Sequence, residues 1–194
     1  MCIRDRVGSG ANNLGMQNGG WTVEWQGRMT PDFTILDKNG DGVLKLSEVT
    51  EFYKDIYLSK YNSGSAESFF KNLDTDASGR ITKKEFETAA GLSPYQPAGT
   101  SILEAILSAV NKKNQVAYDP RAKNITKGDL VVAVIGEYPY AEGYGDNPDI
   151  RLNKFDISAL RHCYESGNDL VVIMLSATSN PILYEGCLLY TSDA

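Results

Sequence analysis

Histidine is almost missing from this chain: His162 is the only one in 194 residues. A second imidazole would be needed for a His-pair metal centre or relay, and none exists to support one. His162 also lies off the apolar stripe of its segment and reads as a surface residue. Cysteine is sparse, with Cys2, Cys163 and Cys187. Two of these fall in terminal stretches set aside below, so Cys163 stands alone and no disulfide or thiolate framework follows. Positive charge is in deficit, 19 Lys and Arg against 25 Asp and Glu, for a formal charge of −6. That balance argues against non-specific nucleic-acid binding and suits calcium or neutral sugars. No apolar run is long enough to span a membrane.

The two ends read as foreign. Back-translated as ATG TGT ATA AGA GAC AGA and TGT CTC TTA TAC ACA TCT GAC GCT, residues 1–6 and 187–194 open on reverse-complementary bases. This resembles a transposase-type sequencing adapter read through at both ends of a short insert, and both segments are excluded from fold reasoning. Met1 then marks no start site, and the biological stretch runs from about Val7 to Gly186.

Residues 29–96 carry a duplicated acidic pattern. Asp37 to Glu48 and Asp74 to Glu85 both fit the twelve-residue EF-hand loop. Asp37, Asn39 and Asp41 in one loop, and Asp74, Asp76 and Ser78 in the other, supply short oxygen side chains at positions 1, 3 and 5. Gly42 and Gly79 sit at the sharp turn of position 6. Val43 and Arg80 offer only their carbonyls at position 7, and Glu48 and Glu85 can close the site bidentately. Phe33 and Leu36 precede the first loop at the offsets at which Phe70 and Leu73 precede the second. The segment is therefore an internal duplication of a helix–loop–helix unit binding Ca2+. Lys45 at position 9 of the first loop is no ligand, so water completes that vertex. Pro31 limits the first entering helix.

The rest of the chain has another character. Val7 to Asn13 reads as a strand end and Gly/Asn turn. Trp21 and Trp25, four apart in an extended segment, point to one face; they serve either as core residues or as a stacking surface for a sugar ring. Ser101 and Glu104 form a candidate capping box for a helix whose apolar residues are Leu103, Ile106, Leu107 and Val110. A short strand is expected over Gln115–Tyr118, and another helix around Ile157, Leu160 and Tyr164, ended by Gly167. Leu130–Ile135 and Asp169–Leu175 are continuous aliphatic runs of the kind buried on both faces of a parallel sheet. The order predicts an α/β layered sandwich with a mostly parallel sheet, interrupted by an all-α EF-hand pair. Beyond the first run, Glu137, Glu142 and Asp146 lie where such sheets form sites.

With the EF-hand pair set aside, ANNLGMQNGGWTVEWQG, PAGTSILEAI and VIGEYPYAEGYGDN resemble the C-terminal α/β domain of glycoside hydrolase family 3, as in its β-glucosidases and exo-β-glucanases. The resemblance covers 7–28 and 97–186, with 29–96 an insertion. It implies that Glu142 is the catalytic acid/base, that Trp21 and Trp25 clamp the sugar, and that the nucleophilic Asp lies on a preceding barrel domain absent from this sequence. A retaining glycosidase needs two carboxyl groups about 5–5.5 Å apart, one kept protonated by apolar or like-charged surroundings. Tyr140, Tyr144 and the barrel Asp would supply these. Glu137 reads as support for the strand end, and Asp146 as a shaper of the loop. Ser176–Leu183 is longer than the family's turn. The implied protein cleaves β-glucans or β-glucosides in the periplasm or outside the cell; the alternative is a non-catalytic, calcium-dependent carbohydrate-binding module. Neither nucleic acid nor membrane is expected as a partner.

Overall fold

The computed structural model describes residues 3–20, 32–56, 64–91, 99–110, 116–127, 130–140, 152–176, 182–184 and 187–189. Two compact units emerge, residues 1–29 with 97–194, and residues 30–96.

In the first unit, β1 (Ile3–Val7), β4 (Ala117–Tyr118), β5 (Leu130–Gly136) and β6 (Asp169–Leu175) form a parallel sheet in the order β4-β1-β5-β6. The mostly parallel α/β expectation is met. The run LVVAVIG of β5 has no polar face because both of its faces are covered. Val131 and Ala133 pack with Val7, Ala159 and Cys163 on the side of α7 (Lys154–Glu165). Val132 and Val134 pack with Ala11, and against Ile102 and Ile106 of α6 (Ile102–Ala109), on the other side. The capping box of α6 is closed: the Ser101 hydroxyl accepts from the Glu104 N–H at 3.1 Å, and Glu104 accepts from the Ser101 N–H at 2.8 Å. Among the expected elements, β4 is shorter than the predicted strand, whose Gln115 lies outside the described residues. An unforeseen helix, α1 (Leu14–Asn18), starts at Asn13, whose side chain accepts from the Met16 N–H at 3.0 Å. Its five residues carry no periodic signal long enough to detect.

Residues 1–6, set aside on sequence, contribute Ile3 to Arg6 of β1. The reason is topological: the sheet needs a strand between β4 and β5, and the chain running into Val7 is the one that reaches the slot. Alternation then turns Val7 to the α7 side and Arg6, paired with Tyr118 and Val132, to the α6 side. Arg6 is fully buried there, and among the described residues none of its three guanidinium nitrogens has a hydrogen-bond partner. Burial lowers its pKa. At the other end, β8 (Cys187–Leu189), also set aside, pairs antiparallel with β7 (Ile182–Tyr184).

In the second unit, α2 (Phe33–Leu36) and α3 (Leu46–Ile56), and then α4 (Gly64–Leu73) and α5 (Lys83–Gly91), each flank a short strand. These are β2 (Val43–Leu44) and β3 (Ile81–Thr82), which pair antiparallel with Leu44 opposite Ile81. The core joins Phe33, Leu36, Leu44, Val49, Phe70, Leu73, Ile81 and Phe86, the repeated flank residues among them. Phe33 and Phe86 meet edge to face at 5.5 Å, a favoured aromatic geometry. Helix α2 has only four residues; Pro31 before it lies outside the described residues.

Candidate functional site

At the carboxyl end of β5 the chain is held by a buried polar knot. The Asp156 carboxylate, fully buried near the start of α7, accepts from the Ser9 N–H (2.9 Å), the Ser9 hydroxyl (2.7 Å), the Gly136 N–H (3.2 Å) and the Asn153 amide (3.0 Å). It thus joins the turn after β1, the end of β5 and the start of α7. Burial pushes its pKa up, and the four donors pull it part of the way back. The turn after β1 passes so close that a Cβ on Gly8, at φ +90°, would sit 2.2 Å from the Val134 carbonyl oxygen. Only glycine meets both demands. Asp156 was not singled out on sequence, although Asn153, three residues before it, carries an N-cap signal.

Next along the chain, Glu137 accepts from the Tyr140 hydroxyl at 3.0 Å and from the Ser176 hydroxyl at 3.1 Å. Its N–H donates to the Leu175 carbonyl at 2.9 Å. Glu137 therefore ties the ends of β5 and β6 to the segment that leads toward Glu142. A cleft of about 280 Å3 opens here, lined in part by Met16, Asn18, Glu137, Tyr138, Tyr140 and Ser176. Glu142, Asp146, Tyr144, Trp21 and Trp25 lie outside the described residues. His162 is half-buried, and its Nδ1 lies 3.1 Å from the Arg121 carbonyl, which can only accept, so Nδ1 is the donor there.

The two acidic loops are described throughout. In the first, Asp37 accepts from the N–H groups of Gly40 (2.8 Å), Asp41 (3.2 Å) and Gly42 (2.9 Å). Asn39 accepts from the Asp41 N–H at 2.7 Å, and Asp41 from the Val43 N–H at 3.1 Å. Glu48 reaches back to the backbone of Lys38 and Lys45 at 3.1 and 3.0 Å. The second loop repeats the pattern. Asp74 accepts from Ser78 and Gly79, each at 2.9 Å, and Asp76 from Ser78 at 3.0 Å. The Ser78 hydroxyl donates to the Arg80 carbonyl at 3.0 Å. Gly42 and Gly79 both have φ +80°, the left-handed conformation demanded at position 6.

Carboxylate oxygens of Asp74, Asp76 and Glu85 lie within 4.8 Å of one another. Thr82 and Thr75 donate to Glu85 and hold its pKa down to about 2, so it is ionised at neutral pH. An all-oxygen set of three carboxylates, a hydroxyl and a carbonyl suits a hard cation such as Ca2+. In chemical terms the residues fit the ion.

Residues 29–91 match the EF-hand domain pair. Over 98 residues the chain is 29% identical to the lysosomal beta glucosidase of Dictyostelium discoideum, an alignment covering 42% of this chain and 12% of that protein. The crystal structure of an exo-1,3/1,4-beta-glucanase from a Pseudoalteromonas species is similar with a TM-score of 0.48 at 21% identity, covering 89% of this chain and 14% of that one. A point mutant of the same enzyme gives the same TM-score and identity and is covered over 19% of its length. The chain thus spans a small part of each of these proteins.

Proposed function

We propose that the α/β unit belongs to a retaining, exo-acting β-glucosidase or β-glucan hydrolase, in which Glu142 is the acid/base and Trp21 and Trp25 grip the sugar. What supports this is the anchored segment after β5. Glu137 fixes Tyr140 two residues before Glu142, beside an open cleft, and the motif around them is that of glycoside hydrolase family 3. The acid/base would protonate the leaving oxygen and then draw a proton from water, while an Asp from the barrel domain attacks the sugar. The inserted EF-hand pair binds Ca2+ through Asp37, Asn39, Asp41, Glu48 and the Val43 carbonyl, and through Asp74, Asp76, Ser78, Glu85 and the Arg80 carbonyl. Bound Ca2+ would supply a fixed positive charge that cross-links each loop. A periplasmic or secreted location would make modest affinity sufficient.

The test uses the intact enzyme, barrel included. Glu142→Gln should lower aryl-glucoside turnover by about 10²- to 10⁴-fold, the range lost with a general acid/base. Turnover near wild type would defeat the assignment.

A further inference from the structure

By ligand count the two acidic loops are equals, with three carboxylates each. They differ at position 9. In the second loop this is Thr82, whose hydroxyl donates to Glu85 at 2.8 Å and supports the ligand. In the first it is Lys45, whose Nζ lies 2.8 Å from Asp41 Oδ2. The Asn39 amide donates to that same oxygen at 3.1 Å, so two donors already occupy the ligand face of position 5. The carboxylates of the second loop converge as described; among the described residues the acids of the first form no such group.

We infer that Lys45 is a tethered cation that competes with calcium for Asp41, making the loops unequal and the second the first to fill. This rests on the calcium reading above. Metal entering the first loop must displace the ammonium from Asp41 and then tolerate a unit positive charge a few ångströms away. The pair is half-exposed, with side-chain exposures of 52% for Lys45 and 38% for Asp41, so water and salt screen it and the handicap is modest.

Isothermal titration of Ca2+ into the full chain separates the possibilities. The wild type should show two unequal steps. Lys45→Gln should tighten the weaker step by about three- to tenfold and leave the stronger unchanged. Thr82→Lys should weaken the stronger step by a similar factor. Glu85→Gln should abolish the stronger step, identifying it with the second loop. Circular dichroism of each variant checks that it remains folded. A weaker step unmoved by Lys45→Gln, or a stronger step that survives Glu85→Gln, overturns the inference while leaving calcium binding standing. No binding by the wild type at millimolar Ca2+ overturns both.

Discussion

The EF-hand unit and the α/β unit solve the problem of placing carboxylates in opposite ways. In the loops each acid is bonded to backbone a few residues away, as Asp37 is to Gly40, Asp41 and Gly42. The geometry is local, and the acids other than Glu48 keep some exposure to solvent. In the α/β unit Asp156 is bonded to Ser9, 147 residues distant, and to Gly136, 20 residues distant, and it is fully buried. The first arrangement leaves carboxylates available to an incoming ion. The second uses up a carboxylate to hold three chain segments together. One kind of side chain is thus left open in one unit and spent as a rivet in the other, and the distinction lies in who donates to it.

The strongest way to break that contrast is to remove the rivet. Asp156→Ala leaves the Ser9 N–H and hydroxyl, the Gly136 N–H and the Asn153 amide without their acceptor. At roughly 1–3 kcal/mol for each buried donor left unpaired, with partial relaxation, the loss should be about 4 kcal/mol. Asp156→Asn should recover little, because its own amide would face four donors. Urea unfolding read at the sheet core would measure the loss, and calcium binding by the loops should be unaffected. A loss below about 1 kcal/mol would show that the knot is incidental.

A smaller effect of opposite sign is expected at Arg6. The adapter reading set residues 1–6 outside the fold, yet the strand they form carries Arg6 on a buried face. The side chain there shares a face with Val132 and Tyr118 and has no hydrogen-bond partner among the described residues. An isolated buried charge is a defect that natural cores avoid. Arg6→Val should therefore raise the stability of the α/β unit by about 2–3 kcal/mol, seen as a higher urea midpoint. A neutral or negative change would mean that Arg6 has a role in the slot.

These contrasts also explain what could be read in advance. The EF-hand loops were legible because every candidate ligand and its supporting turn lie within twelve consecutive residues. The repeat of Phe33 and Leu36 as Phe70 and Leu73 confirms the frame, and all four enter the core. Runs such as Leu130–Ile135 were legible because a strand buried on both faces must be continuously apolar. The Asp156 knot was not, since no local pattern records that a serine at position 9 will close on it. Helix α1 was missed because its start depends on one Asn cap, and the role of Arg6 because it follows from sheet order alone. Lys45 was recognised as a non-ligand, but its bond to Asp41 needed coordinates.

The smallest expected effect is the opposite response of the two units to acid without calcium. Glu85 has a folded pKa of about 2 against an ordinary 4.5, because Thr82 and Thr75 donate to its ionised form. Its contribution is present above pH 4.5 and is lost as the pH falls toward 2. Asp156 has its pKa raised from an ordinary 3.8 by burial. Its protonation therefore favours folding: that contribution is full below pH 3.8 and is lost as the pH rises through the folded value. Acidification from about pH 6 to about pH 3 should weaken the loops while relieving the knot. Hydrogen exchange, corrected for its intrinsic pH dependence, can follow peptides from 64–91 and 152–176 separately. Protection should fall in the first and hold or rise in the second. Parallel loss in both would mean that Asp156 is ionised at little cost, its four donors outweighing its burial, and the contrast between ligand and rivet would then rest on position alone.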